Sequence, residues 1–204
     1  EITAVVTISP LPRLPEHIRQ VQVPEDVMAS ISPVKTPQGV LFTCRLPQAP
    51  LPRFLTGRRY VLLEGVQDPG NVGTILRTLD AAGFDGCILT PGCADPFAPK
   101  TMRATMGSLF RVPMTFVEDG AEAAYWLRTN GWAVIGAELR GQPFYQRGNR
   151  PDKLCVLIGN EGAGLTEEIL AQCSFRYKLP MRGGAESLNA GIAAAVMMYD
   201  LMNR

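Results

Sequence analysis

The sequence contains a single histidine, His17, and it lies in a proline-rich stretch. A histidine-based zinc site or a Ser-His-Asp triad therefore has nothing to be built from, and no metal is expected. The five cysteines, Cys44, Cys87, Cys93, Cys155 and Cys173, include no CxxC pair. Their number is odd and four lie in or beside apolar segments, so they read as buried free thiols of a cytoplasmic protein. No apolar run reaches the roughly 18–20 residues that a membrane span requires. Charge of one sign is lacking too: 20 basic and 19 acidic residues leave a net charge of +1. That excludes a protein that holds nucleic acid by global charge, and any RNA contact must come from a local patch. The opening EITAVVTISPLPRLP has no basic region, secretory cleavage signature or initiator Met, so the chain reads as a fragment or a processed piece.

What is present is an ordinary folding composition, 46% apolar and 19% charged over 204 residues, enough for one good-sized domain and a smaller appendage. Prolines punctuate residues 1–57. Within them EITAVVTIS and GVLFTCRL read as short strands and PEDVMASIS as a short helix, little material for a core of its own. PQAPLPRFLTGRR has the composition of a linker. Beyond it, apolar strands at 60–66, 87–90, 112–117, 132–139, 153–159 and 175–181 alternate with helices. Those helices are predicted at 71–83, 99–106, 122–130 and 166–173, with a last one from Ser187. Continuous apolar strands alternating with amphipathic helices predict an α/β fold: an open, mostly parallel sheet with helices on both faces. Such sheets bind ligands in loops at the C-terminal ends of their strands.

Three of those loops carry more polar detail than folding needs. In LEGVQDPGNVGTILRT, Asn71 reads as a helix cap and Arg77 as a solvated charge, or both as parts of a site. In VLIGNEGAGLTEE, glycines leave a buried strand and let a ligand approach the backbone, but neither GxGxxG nor GxxxxGK[ST] is formed. In LPMRGGAESLNAGIAAAVMMYD, Ser187 reads as the N-cap of the last helix, without a capping box because Ala190 stands three residues on. Asn189 is a mediocre helix former placed in the first turn.

Taken together, Asn71-x5-Arg77, Gly159-Asn160-Glu161-Gly162 and Ser187-Leu188-Asn189 after Leu179-Pro180-Met181 closely resemble the three motifs of the SpoU family of RNA ribose 2′-O-methyltransferases, within the SPOUT superfamily. RATMGSLFRVP (103–113) resembles the family's stretch between its first two motifs. The resemblance implies a methyltransferase domain at 59–204 with a deep C-terminal trefoil knot. It also implies a linker at 51–58 and, at 1–50, part of an L30e-like RNA-binding domain.

The implied activity is methyl transfer from S-adenosylmethionine to a ribose 2′-hydroxyl of structured RNA. That RNA would be 23S rRNA in preference to tRNA, with a non-catalytic RNA-binding protein on the same fold as the remoter alternative. The implied catalytic residues are Asn71, Arg77, Glu161, Ser187 and Asn189. A guanidinium stays charged, so Arg77 is expected to clamp phosphate and stabilise alkoxide charge, while Ser187, Glu161 or a phosphate oxygen takes the proton. The cofactor pocket is expected at Ala137, Glu138, Gly159, Asn160, Gly162, Leu179, Met181 and Leu188. RNA contacts are expected at Arg58, Arg103 and Arg111, and with lower priority at Arg53, Arg59 and Lys100. A homodimer is implied, with the small-residue faces of the 71–83 and terminal helices as its interface.

Overall fold

A run such as LCVLI has no polar face to turn to water, so it is stable only as a strand covered on both sides. The computed structural model describes residues 2–45, 50–149 and 151–203, which form two compact units, 2–45 and 50–203.

The first unit contains β1 (Ile2–Thr7), β2 (Arg19–Gln22), α1 (Glu25–Ile31) and β3 (Val40–Cys44). Its sheet order is β2-β1-β3, with β1 parallel to β2 and antiparallel to β3. Only Val5, Thr7, Met28 and Gly39 are buried, which agrees with the thin core read from the sequence. The strand β2 was not expected, because RQVQ is short, polar and mostly exposed. Residues 1 and 46 of the expected strands lie outside the described residues.

The second unit runs α2 (Leu51–Phe54), β4 (Arg59–Leu63), α3 (Pro69–Ala81), β5 (Gly86–Leu89), α4 (Pro99–Thr105), β6 (Met114–Phe116), α5 (Gly120–Thr129), β7 (Ala133–Pro143), β8 (Leu154–Ile158), α6 (Glu167–Gln172), β9 (Phe175–Lys178) and α7 (Ala190–Asn203). Residues 47–49 of the expected linker lie outside the described residues. The stretch 51–58 is structured: it holds α2, and Leu51 and Leu55 pack against the core. Two leucines spaced by four give the proline-rich stretch an apolar side that composition alone conceals.

The six strands stand in the order β6-β5-β4-β8-β7-β9, and all five pairings are parallel. Alternation along each strand divides the core in two. Val61, Leu63, Val156 and Ile158 face α3 and α7, where they meet Ile75, Leu76, Met197 and Leu201. Tyr60, Leu62, Cys155 and Leu157 face α5 and α6, where they meet Leu127, Ile169 and Leu170. Full burial of each large side chain contributes about 1.5–3 kcal/mol, so the two layers supply most of the driving force.

Close approach in the first layer depends on Gly73, where an added Cβ would lie 2.4 Å from the Ala104 Cβ of α4. Arg147, almost fully buried, lies over the Phe144 ring at 4.1 Å and pairs with Asp200, tying α7 to the segment after β7. The thiols divide by place: Cys87 and Cys155 are buried in the sheet and Cys93 and Cys173 half-buried, but Cys44 is exposed. That last position departs from the expectation of buried thiols, because β3 is covered on neither side there. No helix among the described residues is long and apolar enough to cross a membrane.

Candidate active site

The site grows from the loops that follow β4, β8 and β9 and from the irregular stretch of β7 after Ala137. After β4, Asp68 caps α3: its side chain accepts a hydrogen bond from the backbone N–H of Asn71 at 2.9 Å, and Pro69 occupies the first helical position. This corrects the reading of Asn71 as the cap. Asp68 does that work, which leaves the nearly buried Asn71 amide to point inward.

After β8, the chain folds back on itself through paired hydrogen bonds between Asn160 and Gly164. The Asn160 side chain accepts from the N–H groups of Gly162 and Ala163 and donates to the Gly65 carbonyl. Only glycine fits at Gly159, since an added Cβ would lie 2.2 Å from the backbone of Gly164. Glu161, two residues beyond Gly159, reaches across to the loop after β4. Its carboxylate accepts from the N–H groups of Gln67 and Asp68 at 3.1 and 3.0 Å, and from Asn71 Nδ2 at 2.8 Å.

Partial burial opposes the charge on Glu161, but the hydrogen bonds from Asn71, Asp68 and Gln67 outweigh it and hold the carboxyl below the ordinary glutamate range. An ionised carboxylate whose two oxygens already accept three hydrogen bonds is a poor proton acceptor.

The last helix closes the network. It begins at Ala190, and its cap is Asn189, whose Oδ1 accepts from the N–H groups of Gly191 and Ile192 at 2.9 and 3.2 Å. The expectation that Ser187 starts this helix is therefore overturned. A serine cap two residues earlier would turn the Asn189 amide away from Asn71, whose Oδ1 accepts from Asn189 Nδ2 at 2.8 Å. Asn189 thus serves the helix and the site at once. Glu161, Asn71 and Asn189, from three loops, form one continuous chain of hydrogen bonds.

Beside this chain lies a cleft of about 460 Å³, within the range typical of small-ligand sites. Ala137 and Glu138 of β7 line it, with Gly159, Asn160 and Gly162 after β8 and Leu179, Met181 and Leu188 after β9. Glu161, Ser187 and Asn189 also border it. The structure therefore brings together all eight residues expected at the cofactor and three of the five expected at the chemistry, with Asn71 joined to them by its hydrogen bonds. Ser187 is exposed there.

Arg77 lies elsewhere. It is exposed on α3, is not among the residues that line the cleft, and stands six residues from Asn71, well round the helix.

The lining also includes residues that the sequence reading did not name, among them Leu139, Arg140, Tyr177, Lys178 and Met197. Arg140 follows Glu138 at the spacing of one strand face, a signal that could have marked it. The Met197 side chain comes from α7, and nothing local in the sequence points it at this cleft.

Of the expected RNA contacts, Arg58 and Arg103 are exposed. Arg111 is engaged within the chain: Nε and Nη2 donate to Asp80 Oδ2 at 3.0 and 2.6 Å, and Nη2 also to Ser108. That hydrogen bonding holds the Asp80 carboxyl below its usual range. Lys100 stands 4.0 Å from Asp68.

Residues 58–199 match the model of the SpoU rRNA Methylase family. The chain belongs to the SpoU rRNA methylase family. Among its SpoU relatives is the 23S rRNA (guanosine(2553)-2′-O)-methyltransferase RlmP of Bacillus subtilis, 35% identical over 183 residues that cover 87% of this chain and 70% of that protein. A Staphylococcus aureus protein named for the TrmH family, as a tRNA/rRNA methyltransferase, is 35% identical over 144 residues, 71% of this chain. This chain spans only 58% of the length of that relative. The AdoMet-bound rRNA methyltransferase from Sinorhizobium meliloti superposes with a TM-score of 0.84 at 33% identity, covering 98% of this chain and 79% of that one. Two of the three SpoU motifs read from the sequence line the cleft, and the other is joined to them through the hydrogen bonds of Asn71.

Proposed function

We propose that this chain transfers a methyl group from S-adenosylmethionine to a ribose 2′-hydroxyl of structured RNA, with 23S rRNA favoured over tRNA. The observation that carries this reading is the Glu161–Asn71–Asn189 chain of hydrogen bonds along the edge of a glycine-walled cleft at the strand ends. The family membership and the named activity of the Bacillus subtilis relative support it.

The cleft suits the cofactor: its walls pair apolar side chains such as Leu165, Leu179 and Met197 with the carboxylate of Glu138 and the polar backbone of the 159–164 loop. Bound there, S-adenosylmethionine would supply an electrophilic methyl group on a sulfonium leaving group. The chain's own work is then placement of the nucleophile. Glu161 fixes the Asn71 amide, which fixes Asn189, so three loops are set in register before RNA arrives. Ser187, exposed at the cleft, accepts the hydrogen bond of the 2′-hydroxyl. Arg77 clamps the adjoining phosphate.

Since Arg77 is not part of the cleft wall of its own chain, the reading places it across a homodimer interface, serving the cleft of the partner copy. The small-residue faces of α3 and α7 expected at that interface are used within the chain, where Gly73 lies against Ala104 and Gly191 against Thr74. The surface proposed in their place is the outward face of α7, with Ile192, Ala195, Val196 and Tyr199, and Ile192 keeps 49% of its area exposed. The reading includes a deep C-terminal trefoil knot, and an L30e-like RNA-binding role for residues 1–50, joined by 51–58 to the methyltransferase domain at 59–204. It places the protein in the cytoplasm, where its RNA is.

Incubation with labelled cofactor and total cellular RNA, followed by mapping of the product, tests the assignment. A 2′-O-methylated nucleotide in 23S rRNA is expected. A labelled tRNA would redirect the substrate, and a label on a base atom would refute the ribose chemistry.

A further inference from the structure

The strand β7 parts from β9 after Ala137, and the pairing resumes at Gln142. The unpaired stretch 138–141 becomes a wall between the cofactor cleft and a second cleft of about 540 Å³ bordered by Gln142, Ser174, Phe175 and Arg176. Glu138 and Arg140 line both. The Arg140 guanidinium is held by two carboxylates: Nε donates to Glu138 Oε1 at 3.2 Å and Nη2 to Glu167 Oε1 at 3.0 Å. These partners differ in one respect. The Glu138 side chain is 14% exposed, whereas that of Glu167 is 74% exposed on α6.

We propose that Arg140 recognises the methionyl carboxylate of S-adenosylmethionine, releasing Glu167 to receive it. The proposal rests on the cofactor reading given above. A carboxylate entering a partly dehydrated cleft needs a cation with donors to match. Among the described residues, the lining of the cofactor cleft includes two cations, Arg140 and Lys178. Both line the cleft, but Lys178 offers a point charge on a flexible stem, whereas a guanidinium matches the two oxygens of a carboxylate.

Arg140 presents a planar fork of N–H donors suited to a carboxylate, and it already grips two. The bond to Glu167 is an exposed ion pair, the kind that contributes little, so an incoming carboxylate can replace it without loss of charge balance. Glu138, the less exposed partner, stays in place and keeps the guanidinium aimed at the cleft. No covalent bond changes in this step.

S-adenosylmethionine and its decarboxylated form differ in that one carboxylate. Calorimetric titration of the wild-type protein with each, repeated for Arg140→Gln, isolates the contribution. The wild type should favour the intact cofactor by roughly two- to fivefold, the scale of an exposed ion pair, and Arg140→Gln should lose most of that preference while binding the decarboxylated form as the wild type does. Arg140→Gln removes no core contact, because the side chain is 77% exposed. Glu167→Gln should bind the intact cofactor as tightly as the wild type or more tightly.

An Arg140→Gln protein that keeps the full preference would overturn the proposal. So would a Glu167→Gln protein that loses it. A wild-type protein that binds neither compound would overturn the cofactor reading itself, a result distinct from both.

Discussion

Glu161 accepts three hydrogen bonds, and the fold feels its charge. Its carboxyl is held lower in the folded protein than in the unfolded chain, where glutamate titrates near ~4.3. The stabilisation is therefore fully present above that pH and is lost as pH falls through the lower, folded value. Glu161→Gln should lower stability by about 1 kcal/mol at neutral pH, the low end for a charged acceptor because this one borders solvent. In thermal melts the gap to the wild type should stay level from neutral pH down to about 5 and close below about 4.

Ser187 makes the opposite case. Because Asn189 caps α7, Ser187→Ala should leave stability within about 0.5 kcal/mol of the wild type while methyl transfer falls at least tenfold, as read by denaturant melts beside initial rates. Asn189→Ala should lose about 1 kcal/mol of capping and the transfer together. The sequence showed which residue types gather here, but it gave the cap to the wrong one. Serine and asparagine are near-equal caps, and only the partner 118 residues away, Asn71, decides between them.

At the scale of elements, the end of α4 carries a visible strain. Met106 adopts φ 50°, ψ 39°, a left-handed conformation, with its side chain 70% exposed. Met106→Gly should relieve roughly 1–2 kcal/mol of that cost, offset by the roughly 0.4–1 kcal/mol that glycine adds to the freedom of the unfolded chain, so the melting temperature should stay level or rise slightly. A clear fall in thermal melts would show that the left-handed conformation carries little strain.

Most helices and strands were legible from apolar periodicity, within a few residues at each end. The exceptions share a physical cause. Polar β2 exists because β1 offers it a partner. The strand β7 runs on to Pro143 because β9 re-pairs with it beyond the 138–141 bulge. Neither signal is local, and so neither can be read from a window of residues.

For the whole molecule, the α/β class and the loops that form the site could be read in advance, whereas the strand order β6-β5-β4-β8-β7-β9 could not. Placing β8 between β4 and β7 is a choice among pairings of similar apolar strands, made by long-range packing. The proposed placement of Arg77 across a dimer interface has a direct test at this scale. Arg77→Ala and Glu161→Ala chains, each inactive as homodimers, should regain activity when co-purified as heterodimers, since one of the two clefts then has every group. Absence of recovery would place Arg77 in the service of its own chain's cleft. Calorimetry on Arg77→Ala should show wild-type cofactor affinity with transfer lost.

The double duty of Asn189 gives this protein a built-in reporter. The amide protons of Gly191 and Ile192 bond to the same side chain that holds Asn71. Their hydrogen-exchange rates therefore register whether the three loops are assembled, in a sample with neither RNA nor cofactor. Site geometry can be followed at two backbone positions through temperature, pH or mutation, even in variants too inactive for any assay.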